Sequence, residues 1–327
     1  MIIDCHGHLV PPALLTEIAG RAGEFPSLRL HEGEGGFGFS FAGGKPTRPV
    51  APPLKDSETR RAWMAENGIQ RQVVGGWLDM FGYELPTTEG VAWSRLINRH
   101  LAAAADQHFV PLATVPLRDG KAAAEMLDEA MASGFPGVMI GTQPKGSGGV
   151  LDDPALAPFW AMADRRRAVV FIHPVFESGD ARVHDYGMAN AVGRVTDTMI
   201  AVACLLFAGI PARHPGARIV CAVGGAALPA ILGRLRTNRR LDPALADPEV
   251  NLRALWFDTI VQDAPTLRFI AETVGAGRLM MGSDYPFPIG DRAPRRIIAE
   301  AGFDAATQAA MAGATAHHVF GLAGSKG

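Results

Sequence analysis

Little in this chain is concentrated enough to mark a specialised class. The three cysteines, Cys5, Cys204 and Cys221, share no C-x-x-C spacing. Two of them lie in apolar, strand-like runs, as buried thiols in a reducing compartment do. No excess of one charge exists: 31 Lys and Arg stand against 33 Asp and Glu, for a formal net charge of −2. That balance excludes the electrostatic footprint of a nucleic-acid or anionic-membrane binder. The longest apolar run, Met199 to Ile210, falls short of the roughly 20 residues that a membrane span requires. Residue 1 leads directly into a strand-like run with no basic n-region or cleavage site, so no signal peptide is expected and a cytoplasmic location follows. There is no internal repeat and no low-complexity tract. The 38 glycines and 24 prolines are dispersed, which implies many tight connections and no linker.

What is present is a chain of 327 residues, 48% hydrophobic and 20% charged, long enough to bury a substantial core. Strand-like runs at Ile2–His6, Gln72–Gly75, Phe109–Pro116, Gly137–Ile140, Ala168–His173, Ala217–Val223, Leu255–Ile260 and Leu279–Gly282 alternate with amphipathic or Ala-rich stretches. Those stretches include Gly90–Gln107, Gly120–Ser133, Pro154–Arg167, Asp197–Arg213 and Ala264–Val274, with a last helical region from Pro294 to about Phe320. Eight strands separated by helices predict an α/β fold with a parallel sheet, and the count at this length favours a closed (β/α)8 barrel over 1–327. One Gly- and Pro-rich segment, about 29–53, breaks the alternation and reads as an inserted β-hairpin after the first strand. It holds Gly33-Glu34-Gly35-Gly36-Phe37-Gly38, a literal G-x-G-x-x-G. No helix follows it, so these are turn glycines and not a dinucleotide fingerprint.

The informative stretch is I-I-D-C-H-G-H at the start. In a strand, residues i and i+2 share a face, so His6 and His8 aim two imidazoles at one point. Catalytic groups of a barrel sit at the C-terminal ends of its strands. Two further metal-capable side chains stand at such ends: His173 closing A-V-V-F-I-H-P, and Asp284 in R-L-M-M-G-S-D-Y-P-F-P. Three imidazoles and a carboxylate suit one divalent cation, Zn²⁺ foremost and Mn²⁺ or Fe²⁺ as alternatives. Such a cation polarises a substrate oxygen or acidifies a bound water. The remaining histidines, among them His184, fall in predicted loops, at helix ends or in the terminal helix.

These residues carry a resemblance. I-I-D-C-H-G-H, F-P-G-V-M-I-G-T at 135–142, F-I-H-P at 171–174, T-D-T-M-I-A-V-A-C-L-L-F-A-G-I at 196–210, H-P-G-A-R-I-V-C-A-V-G-G-A-A-L-P at 214–229 and G-S-D-Y-P-F-P at 282–288 span nearly the whole chain. Together they resemble the amidohydrolase superfamily, in particular its aminocarboxymuconate semialdehyde decarboxylase branch. The resemblance implies a distorted barrel with a small insert, metal ligands at His6, His8, His173 and Asp284, and a homodimer. It implies two arginines that grip a substrate carboxylate: Arg48 from the insert, and Arg234, which in this branch reaches into the neighbouring subunit's site. The substrate it implies is a small aromatic or conjugated carboxylic acid, against which Trp77 and Phe287 could stack. One departure matters. The family's sixth-strand motif reads A-H-G-G-G-A, with the histidine as acid/base, whereas this chain has Ala222-Val223-Gly224-Gly225-Ala226-Ala227. Valine carries no proton. A non-oxidative decarboxylase tolerates that loss best; a hydrolase or hydratase, and a catalytically weak metal-binding partner subunit of a hetero-oligomer, are the alternatives.

Overall fold

A computed structural model describes residues 1–33, 36–146, 148–175 and 180–322. Ten strands run through it: β1 (Ile3–His8), β2 (Leu28–Gly33), β3 (Gly36–Phe41), β4 (Arg71–Gly75), β5 (Phe109–Pro111), β6 (Gly137–Gly141), β7 (Val169–His173), β8 (Arg218–Cys221), β9 (Trp256–Asp258) and β10 (Leu279–Met280). All except β2 and β3 pair in parallel, in the orders β1-β4-β5 and β10-β9-β8-β7-β6. Single parallel bridges, Ala113 to Val138 and Gly7 to Tyr285, join the two arcs into a ring. The eight-stranded barrel expected from the sequence is therefore present, closed loosely at two seams. β2 and β3 form the antiparallel hairpin expected of the insert; Glu34 and Gly35, within the G-x-G-x-x-G run, lie outside the described residues.

The helices form where side-chain chemistry starts and stops them. Ala264–Val274 begins at Asp263, whose carboxylate caps the Thr266 N–H, with Pro265 in the first turn. Its Leu267, Ile270, Ala271 and Val274 recur at helical spacing and are buried, and Gly275 ends it. Two apolar clusters result. The larger fills the space between barrel and helices. The smaller lies inside the barrel and takes alternate strand residues, among them Ile3, Cys5, Val73, Met139, Val169, Phe171, Val220 and Met280.

Several boundaries differ from expectation, the fifth strand among them, which ends at Pro111 and not Pro116; two of the differences bear on the site. β10 is only two residues long, so Asp284 sits beyond its strand in an irregular turn. The helix expected from Asp197 begins earlier, because a π-turn at Ala189–Gly193 runs straight into Arg194–Ala208. The resulting 20-residue run, 189–208, is long and apolar enough to cross a membrane by length and composition, contrary to the shorter apolar run read from sequence. Here it serves as a barrel helix, its Ala201, Val202, Leu205 and Leu206 buried in the larger cluster.

Candidate metal centre

Strict alternation along β1 would waste both of its histidines. Ile3 and Cys5 already face the barrel interior, which would turn His6 and His8 outward. The pairing shows why it does not. Asp4 aligns with Gln72 and Gly7 with Val74, so β1 fits one extra residue into this interval. Such a bulge re-aims the side chains that follow it, and His6 and His8 both turn inward. Gly7 points the other way, where an added Cβ would lie 2.7 Å from the Gln72 side chain. Gln72 is pinned by hydrogen bonds and cannot yield. Gly7→Ala is thus expected to cost roughly 1–3 kcal/mol by overpacking, read as a lowered Tm in thermal denaturation.

Each imidazole is oriented through its Nδ1. His6 Nδ1 donates to Asp258 Oδ2 (2.7 Å), His8 Nδ1 to the Gly76 carbonyl (3.1 Å) and His173 Nδ1 to the Pro174 carbonyl (2.8 Å). A neutral ring with its proton on Nδ1 presents a bare lone pair at Nε2. Burial holds His173 neutral by pushing its pKa down to about 3, and burial also lowers His8. The three Nε2 atoms converge on Asp284: its Oδ1 is 3.1 Å from His8, 3.4 Å from His6 and 3.8 Å from His173. His8 and His173 bring their Nε2 atoms within 3.1 Å of each other. All four residues are buried, and their donor atoms lie within 4.8 Å of one another.

This arrangement fits a divalent cation. Among the described residues, His6 Nε2 and Asp284 Oδ1 are buried with no hydrogen-bond partner, a costly condition for polar atoms. Facing lone pairs repel unless something positive lies between them. Metal–ligand bonds of about 2.0–2.2 Å in a tetrahedral set imply ligand–ligand separations of about 3.3–3.6 Å, close to the spacings here. The oriented Nδ1 partners complete the outer shell that metal-binding histidines need. Asp284 itself adopts φ 57°, a left-handed conformation that Asp tolerates better than most residues.

Sequence reading missed Asp258, which ends β9 in L-W-F-D-T-I. Its Oδ2 accepts from His6 and from the Val223 N–H (3.0 Å); its Oδ1 accepts from the N–H groups of Gly224 (2.8 Å) and Ile260 (3.2 Å). Val223 follows β8 at φ 57°, an outlying conformation for a β-branched residue, with its side chain against the inner cluster. A carboxylate closing an apolar strand at the barrel mouth was the signal available for Asp258.

The rim differs from expectation in detail. Arg48 donates to Asp79 Oδ2 through Nη2 (3.0 Å) and Nε (3.3 Å), and its guanidinium lies 5.8 Å from the Trp77 ring centre. Trp77 is buried, so it packs beneath Arg48 and presents no open face. Phe287 lies beside His8, ring centres 5.2 Å apart. Burial raises the pKa of Asp79, against the positive fields of Arg48, Arg194 and His8. Arg194, the first residue of its helix, feels the fields of Asp284 and Asp79. Neither Asp79 nor Arg194 was singled out from the sequence. One turn on, Asp197 accepts from the Thr142 hydroxyl and the Gln143 amide (2.9 Å), tying the helix start to the end of β6. Arg234 is exposed on the helix Leu228–Leu241, not buried with the four, and His184 is also exposed.

A ring of parallel strands whose C-terminal ends gather three imidazoles and a carboxylate around one buried point is the architecture of a metal-dependent (β/α)8 enzyme. The chain belongs to the amidohydrolase family, whose model, described as Amidohydrolase, matches residues 3–322. It is 26% identical to the 2-amino-3-carboxymuconate-6-semialdehyde decarboxylase of Dictyostelium discoideum, over 90% of this chain and 84% of that protein. It is 28% identical to the 6-methylsalicylic acid decarboxylase of Penicillium expansum, over 87% and 84%. Among solved structures, the 5-carboxyvanillate decarboxylase of Sphingomonas paucimobilis superposes with a TM-score of 0.80 at 22% identity, covering 98% of this chain and 99% of that one. That last likeness establishes the fold.

Proposed function

We propose that this protein is a metal-dependent, non-oxidative decarboxylase of a small aromatic or conjugated carboxylic acid. The observation that carries the reading is the convergence of His6, His8, His173 and Asp284 within 4.8 Å. It is supported by similarity to proteins named as decarboxylases of such acids. In this reading the four residues are the ligands of one divalent cation. Zn²⁺ and Mn²⁺ both suit the donor set, and a similar solved structure, a 5-carboxyvanillate decarboxylase, is described as complexed with manganese. When bound, the cation supplies Lewis-acid stabilisation of negative charge developing on a substrate oxygen.

The chain's own residues do the rest. Arg48, steadied by Asp79, offers a guanidinium fork to a substrate carboxylate. Phe287 borders the imidazoles and gives a planar substrate an apolar wall. As the bond to the departing carboxylate breaks, its electron pair stays on carbon and a proton must replace the CO2. Asp284, a carboxylate in this site, is the titratable side chain we assign to relaying that proton: it takes one from water or a substrate hydroxyl and passes it to the carbon, His173 orienting it. Val223 can neither activate water nor give a proton, which favours decarboxylation over hydrolysis or hydration. In this reading Arg234, exposed on its helix, serves a second copy, and the functional unit is a homodimer. The free state of all three cysteines supports a reducing compartment such as the cytoplasm.

Two experiments test this. Purified protein stripped by a chelator should lose CO2 release from an aromatic or muconate-type acid and regain it with Mn²⁺ or Zn²⁺. A protein that binds no divalent cation, or that decarboxylates no such acid, overturns the reading. Val223→His should restore an acid/base group worth about 10²–10⁴-fold and raise turnover of aminocarboxymuconate-type substrates. Unchanged rates on all such acids would mean that proton transfer at this position is irrelevant.

A further inference from the structure

Behind the metal ligands, on the side of β1 that faces the helices, lies a buried polar relay that no step of the reaction uses. Arg60, on the helix Ser57–Glu66, is 0% exposed. Its Nη1 donates to Gln72 Oε1 at 2.8 Å, and its Nη2 to the carbonyl of His8 at 2.5 Å. Gln72 Nε2 donates to Asp4 Oδ2 at 2.7 Å. Asp4 Oδ2 also accepts the Ser283 hydroxyl at 2.5 Å, while Oδ1 accepts the N–H groups of Ser283 (3.0 Å) and His6 (3.1 Å). The Arg60 guanidinium lies 4.7 Å from the Tyr285 ring centre, and that ring stacks on Trp63 at 4.4 Å. The relay thus begins at the His8 carbonyl, passes the His6 amide, and ends on both residues that flank Asp284.

That placement answers a weakness in the fold. Asp284 follows a two-residue strand, and the ring closes beside it through the lone Gly7–Tyr285 bridge. Three main-chain bonds, from Cys5 N–H to the Met281 carbonyl, from Asp284 N–H to the His6 carbonyl and from His8 N–H to the Tyr285 carbonyl, each 2.8 Å, tie this seam. A burial site like this is costly for a guanidinium, and a well-packed apolar pair would hold two strands together as firmly. An apolar pair would not fix register or spacing. A planar fork gripping two acceptors does, and a lysine, with one nitrogen, cannot reproduce it.

We propose that Arg60, acting through Gln72, Asp4 and Ser283, is a positioning residue that sets the spacing between the β1 imidazoles and Asp284, and with it the affinity and coordination geometry of the divalent cation. The inference rests on the metal reading above but not on the identity of the reaction. It is tested on the full chain with Ser283→Ala and Arg60→Lys, each checked for a folded barrel by circular dichroism. Two quantities are measured: the Mn²⁺ dissociation constant by competition with a chelator, and the visible spectrum of the Co²⁺-loaded protein. Removing outer-shell partners weakens metal sites about 10–100-fold, so a loss of at least tenfold with an altered Co²⁺ spectrum is expected from either variant. A merely structural role would lower Tm and leave both readings of the folded protein unchanged. A smaller loss with an unchanged spectrum overturns the proposal. Ser283→Ala deletes one hydroxyl, which donates to Asp4 and accepts the Tyr285 N–H (3.1 Å), and leaves every bond between main-chain groups in place; it decides the matter if Arg60→Lys does not fold. A parent protein that takes up no divalent cation overturns the metal centre and this inference together; a parent that binds, with variants that bind equally, overturns only the inference.

Discussion

Asp284→Asn is expected to give a folded barrel without its cation and with turnover reduced by at least ~10³-fold, on the scale of losing a major electrostatic group in a buried active site. Asparagine is the informative replacement because it tolerates the left-handed backbone at φ 57°. The change therefore removes charge without adding strain. What it removes is the anion of the site: the other three donors are imidazoles, His173 and His8 held neutral by burial. A divalent charge inside the barrel with no counter-charge in contact is strongly disfavoured. Elemental analysis and CO2 release on the same preparation check both halves. His173→Ala should lose the cation as well, since it deletes the imidazole whose Nε2 lies 3.1 Å from that of His8. Retention of full metal content in both variants would refute the ligand assignment.

The positions legible from the sequence were those where chemistry coincides with a strand end. His6, His8 and His173 each close an apolar run, and polar side chains there have nowhere to point except the mouth or the core. Asp284 was found by the same logic, although its strand ends at Met280 and the main chain turns sharply before reaching it. The bulge in β1 was not legible, because it arises from pairing with β4 and depends on Gln72, a residue 65 positions beyond Gly7. The relay from Arg60 to Ser283 hides for the same reason: its members come from separate elements and no local pattern links them. Asp79 sits in a connection, and Arg194 lies ahead of the helix expected from Asp197, where a charged side chain ordinarily faces water. A π-turn, invisible to 3.6-residue periodicity, lengthened the helix that Arg194 begins. Local signals thus recover the elements and the four side chains that converge at the barrel mouth. The supports of those side chains are tertiary, and only the folded structure reveals them.

Asp258 is the sharpest case of such a support, and its substitution separates two kinds of damage. Four buried donors converge on its two oxygens: His6 Nδ1, and the N–H groups of Val223, Gly224 and Ile260. Asp258→Ala leaves all four unsatisfied. At about 1–3 kcal/mol for each buried orphan, partly recovered by relaxation or entering water, the loss should reach roughly 3–5 kcal/mol. The turn at Val223 to Ala226, which runs through positive φ at each residue, loses the carboxylate that holds it and should loosen first. Asp258→Asn is gentler on stability, since one oxygen still accepts two N–H groups. The new amide NH2, however, would face donors where Oδ2 stood. Two N–H groups cannot bond each other, so His6 must move its proton to Nε2, the atom that points at the cation. A ring protonated there cannot ligate. The asparagine variant is therefore expected to keep most of its denaturant midpoint yet bind Mn²⁺ at least ~10-fold more weakly, whereas the alanine variant loses both. If Asp258→Asn binds the cation as tightly as the parent, His6 is not held in its tautomer by this carboxylate, and Asp258 serves the turn alone.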